Sequence, residues 1–466
     1  MNRPKAIKNS GAFTLLGLFY DKGEKMLENK EKKSTYYEAY PKSFLDTNKD
    51  GIGDLEGLRS KLTTISQLGA NYVLINQIFA KKDDKVDFYE IDKELGDIRD
   101  IKAICEKGKY IRIKILLDFD GKELKLSYGD EIKEKILDLI KYWQETGIKG
   151  IRIKNLASLY GDDQNEGEDI LEAIKNLTDE LNLIFIGGIE EINELGKEFV
   201  DMAYFSKAND LIKEKNSYKD FYSFLDKAQK LSEEVPIGLD FQNFETPRLI
   251  EKILNDDEEV RPLTEALATM LFSLKTIPFV YQGTEIEAKS DYSIDMDDIK
   301  DQKIQALYKS FLEEGLDHEK ALDKLKKTTN FTAKIPLRWD DSGLGRFSEV
   351  KNYYGTMVRY ENNYKEYMKH SDSFFFYMYN IIMLRKRESV FGLGDYELLT
   401  FDNQVYAYKR TYKDKSYVTL VNLSDDFYEI DEKITDLIKD GEVIKNNNRD
   451  YDPEILDSYQ AVIIEL

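Results

Sequence analysis

Cysteine is nearly absent: Cys105 stands alone, which excludes an internal disulfide and any CxxC zinc or redox site, and it reads as core. The two histidines, His318 and His370, are too few for a histidine-rich metal centre and read as surface residues. Positive charge is in deficit. Against 89 Asp and Glu stand 68 Lys and Arg, a net charge of −21, so the average surface repels a phosphate backbone or an anionic bilayer and no nucleic-acid partner is expected. Long apolar runs are missing too, none approaching the ~18 residues of a membrane span. The run from Ala12 to Tyr20, preceded by Arg3, Lys5 and Lys8, is broken by Gly17 and has no small-residue cleavage site. It reads as a docked N-terminal segment of a soluble cytoplasmic protein rather than a signal peptide. What the chain does have is core. Of its 466 residues, 41% are hydrophobic and 12% aromatic, which serves one large barrel plus a small domain as well as the about three domains of the length prior.

Short apolar, β-branched runs alternate with helix-period segments, the pattern of repeated βα units around a parallel sheet. Eight runs lie near Tyr36–Phe44, Asn71–Phe79, Tyr110–Phe119, Lys149–Leu156, Leu183–Ile189, Met202–Lys207, Glu234–Asn243 and Thr276–Glu285. Between them, Leu55–Leu68, Glu131–Trp143, Ile170–Leu181 and Leu263–Leu274 place apolar residues three and four apart. The pattern predicts an α/β fold, a (β/α)₈ barrel over 35–391 after an N-terminal extension at 1–34. A polar, irregular stretch over 286–371, with two charged helical pieces and aromatics around Trp339, is too long for a plain connection and predicts a subdomain. Phe374–Arg387 reads as the last barrel helix. Over 392–466, alternating strands such as Val405–Arg410 and Ser416–Leu423 predict an antiparallel β-sandwich domain.

The sharpest local signal is Asp46-Thr47-Asn48-Lys49-Asp50-Gly51-Ile52-Gly53-Asp54, between the first strand and the first helix. Alternate oxygen side chains converge when the chain turns tightly, so Asp46, Asn48, Asp50, the Ile52 carbonyl and Asp54 can surround Ca²⁺ or Mg²⁺ as a structural site. An EF-hand would want Glu where Gly57 stands. The alternative is a solvated acidic turn capping the helix, although three crowded carboxylates without a cation repel one another.

Tyr-Pro-Lys-Ser-Phe at 40–44, running into that loop, resembles the start of glycoside hydrolase family 13, the α-amylase family, and within it the oligo-1,6-glucosidases and related α-glucosidases. The likeness continues through Gly150-Ile151-Arg152-Ile153, Asn243-Phe244-Glu245-Thr246-Pro247-Arg248, Tyr281-Gln282-Gly283-Thr284-Glu285, Ile335 to Ser342 and Leu384-Arg385-Lys386. The resemblance independently implies the barrel, the C-terminal β domain and the metal loop.

Retaining glycoside hydrolysis needs a carboxylate nucleophile and a carboxylic acid about 5 Å apart. The resemblance puts the nucleophile after the Gly-Ile-Arg-Ile run, where this chain has Lys154, and the acid/base at the end of the fifth strand, where it has Gly188. A shifted register could offer Glu190 or Glu191 as the acid; nothing comparable replaces the nucleophile. In the seventh-strand motif Asn243 is kept, Phe244 replaces a sugar-binding His and Glu245 replaces a stabilising Asp. Lys122-Glu123 stands where the third strand should end in Asn-His, and the substrate-covering domain expected there is missing or vestigial, since a helix begins near Asp130. Arg152 is retained, and with Lys154 on the same strand face and Glu245 across the rim it predicts a salt-bridged former pocket.

A degenerate member without the catalytic residues is the resulting expectation, with a binding, regulatory or interaction role toward a protein partner or an oligosaccharide. The family offers the heavy chains of heteromeric amino-acid transporters as a glucosidase fold without that chemistry. A residual or altered α-glucosidase, or a Lys154-dependent Schiff-base lyase, is the alternative. A filled barrel mouth favours the interaction role.

Overall fold

The computed structural model describes residues 29–466, except 84, 160–163, 191–198, 207, 214, 255–259 and 292–293; the run Ala12–Tyr20 and Glu191 lie outside the described residues. Each of the eight apolar runs contains one strand: β1 (Tyr36–Ala39), β2 (Tyr72–Ile75), β3 (Lys114–Asp120), β4 (Gly150–Lys154), β5 (Ile184–Ile189), β6 (Met202–Phe205), β7 (Ile237–Leu239) and β8 (Ile277–Tyr281). All neighbours pair in parallel and β8 returns to β1, closing a barrel. Strands of such a barrel are buried on both faces, which is why their sequences read as continuous apolar runs. Inward residues Tyr36, Tyr72, Leu74, Leu116, Ile186, Tyr204 and Phe279 form a separate inner cluster, with Tyr36 stacked between Tyr72 at 4.2 Å and Phe279 at 4.6 Å. Alternate residues such as Tyr37, Val73, Ile115 and Ile151 pack outward against the helices.

The helix Leu55–Leu68 shows how the outer layer is specified. Leu55, Leu58, Leu62, Ile65 and Leu68 are buried at helical spacing, Asp54 caps the start by accepting from Gly57 N, and Gly69 at φ 104 ends it in the left-handed region. Two departures from the sequence reading concern the connections. Asp120 caps a helix, Gly121–Tyr128, that begins at once after β3, ahead of the helix Ile132–Gln144. A hairpin of Phe79–Lys82 with Lys85–Ile91 follows β2 where none was predicted.

Over 286–371 the helices Gln302–Glu313 and His318–Thr328 form a pair. Trp339 anchors this stretch to the barrel, donating from Nε1 to Phe44 O at 2.7 Å and stacking on Tyr364 at 4.1 Å. Helix Phe374–Arg387 follows, packed on Leu55–Leu68 and Arg261–Ser273. The C-terminal part is a five-stranded antiparallel sheet rather than a sandwich of two full sheets. Its strands bury alternate residues on opposite sides: Tyr406, Tyr408, Val421 and Ile463 join the main core. Val405, Ala407, Val418, Leu420 and Ile464 meet Ile434, Ile438 and Leu456 on the other side. Helix Glu432–Ile438 and a two-stranded ribbon of Tyr428–Glu429 and Ile455–Leu456 supply the cover that a second sheet would otherwise provide. Among the described residues no helix is long and apolar enough to cross a membrane.

Candidate functional site

Parallel strands carry their C-terminal ends to one rim, and a set of buried polar side chains collects there. Glu38 on β1, Asp118 on β3, Arg152 and Lys154 on β4, Tyr204 on β6 and Asp240 after β7 are all buried. Arg152 is the hub. Its Nε donates to Asp118 Oδ1 at 2.6 Å, its Nη1 to Glu38 and its Nη2 to Asn76 Oδ1 at 3.1 Å, while its guanidinium lies over the Tyr204 ring at 4.4 Å. Tyr204 OH donates to Glu38 Oε1 at 3.0 Å and also contacts Asp240.

Lys154, two residues along the same face, forms the upper tier. Its Nζ is 2.5 Å from Glu245 Oε1, 3.7 Å from Asp118 Oδ2 and 4.4 Å from the centre of the Phe244 ring. The lysine is 6% exposed, whereas the Glu245 side chain is 39% exposed. Glu245 is held by Asn243, whose Oδ1 accepts from Glu245 N at 2.9 Å and whose Nδ2 donates to Ser206 O at 2.8 Å. Phe244 occupies the space between: it is 1% exposed and clusters with Tyr40, Tyr281, Ala333 and Tyr354.

The electrostatics follow from burial set against partners. Burial disfavours charge on Lys154, but Asp118 and Glu245 overcome it and raise the amine above its ordinary value. Burial pushes the Glu245 carboxyl up, yet Lys154, with Arg152 behind it, holds it below the usual carboxylate range. Arg152 is driven well above its ordinary value by Asp118 and Glu38 against its own burial. Asp240 goes the other way: burial first, and then the charge of Glu38, raises its carboxyl well above the usual carboxylate range. An ammonium so held is a poor nucleophile, since Schiff-base chemistry needs the free amine.

At Gly188 on β5, a Cβ would lie 2.8 Å from Lys154 Cα and 3.3 Å from Ile153 O. No side chain fits there without moving β4. Glu190 sits at the rim with its carboxylate 3.8 Å from Lys122 Nζ, and its side chain is 43% exposed. Lys122 and Glu123 lie in the first turn of helix Gly121–Tyr128 and do not enter the Arg152 network. The sequence reading missed Glu38, Asp118, Asp240 and Tyr204. A signal was present in Tyr36-Tyr37-Glu38-Ala39 and Leu116-Leu117-Asp118-Phe119, where one acid interrupts an otherwise apolar strand and must find a buried partner.

A family model described as alpha amylase, catalytic domain, matches residues 38–120 and 193–394. The chain belongs to the alpha-amylase family. The match does not extend over 121–192, the stretch that contains β4 and β5. Among curated relatives of this family member, the oligo-1,6-glucosidase of Heyndrickxia coagulans is 24% identical over 526 residues, covering 86% of this chain and 93% of the relative. The glucan 1,6-alpha-glucosidase of Streptococcus pneumoniae is 22% identical over 492 residues, covering 84% and 90%. Among solved structures, the trehalose-6-phosphate hydrolase of Bacillus licheniformis aligns with a TM-score of 0.82 at 19% identity, over 93% of this chain and 99% of that one. The isomaltulose synthase of Protaminobacter rubrum aligns at 0.78 and 18% identity, over 94% and 100%. The chain is oligo-1,6-glucosidase-like within the alpha-amylase family, with a (β/α)₈ barrel and a C-terminal antiparallel β domain.

The acidic loop of this family member is folded by its own side chains. Asp46 accepts from Lys49 N, Gly51 N and Ser348 Oγ. Asn48 Oδ1 accepts from Asp50 N, and Asp50 accepts from Ile52 N and Asn48 Nδ2. Asp54 accepts from Thr47 N, Thr47 Oγ1, Asn48 N and Gly57 N, so its acceptor capacity is spent on closing the loop and capping the helix. Asp46 Oδ1, Asn48 Oδ1 and each Asp50 oxygen accept one hydrogen bond within the loop, fewer than an oxygen with two lone pairs can accept. Among the described residues no group of three or more His, Cys, Asp or Glu gathers as a metal cluster.

Proposed function

We propose that this chain is a non-catalytic α-glucosidase-like member of the alpha-amylase family, working by binding or interaction rather than by cleaving glycosidic bonds. The observation that carries the reading is Lys154, standing where the family resemblance puts the nucleophile and neutralised by Glu245 and Asp118. An ammonium cannot form a glycosyl ester, and its charge opposes an oxocarbenium-like transition state. The lack of room for an acid side chain at 188, the gap in the family match over 121–192 and the direct passage from β3 into a helix support the same reading. The last of these removes one wall of a glucosidase pocket. Phe244 seated over Lys154 supports a mouth filled by the chain itself. We further propose that Asp46, Asn48, Asp50 and the Ile52 carbonyl hold a structural Ca²⁺ or Mg²⁺, with Asp54 closing the loop.

A second reading, a residual or altered glycosidase acting on α-glucosides, has the names of the curated relatives in its favour, together with the half-exposed Glu245 at the rim. Purified protein assayed with a nitrophenyl α-glucoside and with isomaltose separates the two. No turnover is expected. Turnover that disappears in Glu245→Gln overturns the non-catalytic reading.

A further inference from the structure

Tyr204 on β6 presents one hydroxyl to two buried carboxyls, Glu38 on β1 and Asp240 after β7. Both contacts are direct, oxygen to oxygen, so neither a water nor a metal ion stands between the partners. Each contact needs a hydrogen, and a phenol carries one. Ionised carboxylates only accept and supply none to the other contact. Both hydrogen bonds therefore exist together only when one of the two carboxyls is protonated.

The neighbours decide which one. Glu38 Oε1 also accepts from Arg152 Nη1, a cation that favours the ionised form. A proton on Glu38 Oε2 would have nothing to donate to, since that buried atom has no hydrogen-bond partner among the described residues. The partners of Asp240 are neutral: Tyr204 OH, and Asn243 Nδ2 at 3.2 Å from Oδ1. The hydrogens then run from Asp240 to Tyr204 and from Tyr204 to Glu38, with Arg152 donating from the far side. Charge agrees, because Arg152 and Lys154 face Glu38, Asp118 and Glu245 before Asp240 is counted. The remaining strands do not redress it: β2 leads into Asn76, β5 has no titratable residue, and Tyr281 of β8 donates to Ala333 O, with Arg248 beyond its ring at 5.7 Å. Burial and then Glu38 raise the Asp240 carboxyl well above the usual carboxylate range, and burial with Asp240 alongside keeps Tyr204 protonated. We propose that Asp240 stores a proton at neutral pH and works as a pH latch. With the proton in place it fastens the end of β7 to β6 and β1. Alkaline loss of that proton to solvent sets two carboxylates against one hydroxyl. Asn243 carries the change outward, since its Nδ2 holds Asp240 while its Oδ1 accepts from Glu245 N, so the segment 240–245 that brings Phe244 and Glu245 to the mouth is released. The latch operates whether or not the chain cleaves glycosides.

Infrared spectroscopy of the full chain, with the aspartate carboxyl carbons isotopically labelled, tests the latch. At neutral pH the parent should show a label-shifted carbonyl stretch of an un-ionised carboxylic acid, which Asp240→Asn removes and Asp201→Asn, at another buried acid, does not. Asparagine keeps the shape, a donor for Tyr204 and an acceptor for Asn243, so the variant should fold. Relative to Asp240→Asn, the parent's folded-to-unfolded ratio should fall about tenfold for each pH unit between the unfolded carboxyl value and the pH at which the band is lost, because over that range the folded chain holds a proton the unfolded chain has released. Amide exchange over 240–245 should outpace that of Asp240→Asn at the same pH once the band is gone. Absence of any label-shifted acid band in the parent at neutral pH overturns the stored proton, whatever the variant does. A band that survives Asp240→Asn overturns its assignment, and exchange that matches the variant at every pH overturns the latch.

Discussion

Replacing Lys154 by Met should destabilise the protein while leaving the barrel's shape intact, and the size of the loss follows from who is left behind. Breaking a fully buried ion pair from one side costs about 3–5 kcal/mol, because the remaining charge is stranded. Here two acids lose a cation, but unequally. Asp118 keeps Arg152 Nε at 2.6 Å, and Glu245 is 39% exposed and regains water. The expected loss is therefore about 2–3 kcal/mol, at or just below the lower end of that range. Adding Glu245→Gln removes the stranded charge, so the double variant should recover to within about 1 kcal/mol of the parent, and the cycle yields a coupling of about 1–2 kcal/mol. Urea unfolding followed by tryptophan fluorescence reads all four proteins. The pH dependence adds a second check. With the Lys154 pKa raised above its unfolded value, its contribution is complete below the unfolded pKa and lost as pH rises through the folded one. With the Glu245 pKa lowered, its contribution is complete above the unfolded pKa and lost as pH falls through the folded one. The Lys154→Met penalty should therefore be flat around neutrality and shrink in acid. A loss under about 0.5 kcal/mol with no coupling, as for an exposed surface pair, would refute the account of a neutralised mouth.

Gly188→Ala should cost about 1–3 kcal/mol by overpacking against β4, and a neutral result in a thermal melt would show that the two strands part easily. Chelation should lower the unfolding midpoint and CaCl₂ restore it, with saturating ion worth about 2.7 kcal/mol at 100 times Kd; a midpoint indifferent to calcium, magnesium and chelator removes the loop site, and Asp50→Ala should produce that indifference. Glu265, on the helix Arg261–Ser273, is raised to about 7 by burial, against the pull of Arg261 at 3.8 Å and of Lys445. An acid raised in the folded state loses stability as pH climbs from its unfolded value through 7, so Glu265→Gln should gain about 1–2 kcal/mol at pH 8, discounted for its partial exposure, and nothing at pH 4. Equal effects at both pH values would point to packing instead.

How legible the molecule is in its sequence depends on how local each determinant is. Barrel strands announce themselves because both faces are buried, so Leu116 and Leu117, which face opposite sides of β3, both read as apolar. The hairpin at 79–91 is opaque because Lys81, Lys82 and Lys85 break any apolar run while its register is set by pairing across a turn. The C-terminal alternation is visible, but whether a second sheet or a helix covers the outer face is decided by residues 428–456, which carry little period of their own. In the candidate site, Lys154, Gly188 and Glu245 stand out as residue types that do not fit a motif. The raised carboxyl of Asp240 cannot be read, since it follows from burial in the barrel and from Glu38, two hundred residues earlier, approaching it through Tyr204. Nor does glycine at 188 disclose that the neighbouring backbone fills its side-chain space.

That filled space also bears on ancestry. With glycine at 188 the backbone of β4 lies in the room a side chain would occupy, and Lys154 belongs to that strand. Acquiring a carboxylate at 188 then requires a compensating change in β4 beforehand, and an intermediate without it carries a less stable fold that cells degrade more readily. Mutations that lower abundance are purged before any advantage of the second change is felt. The close approach of two strands thus works as a ratchet: two substitutions could place carboxylates at 154 and 188, but the packing between the strands constrains the order in which they can arise.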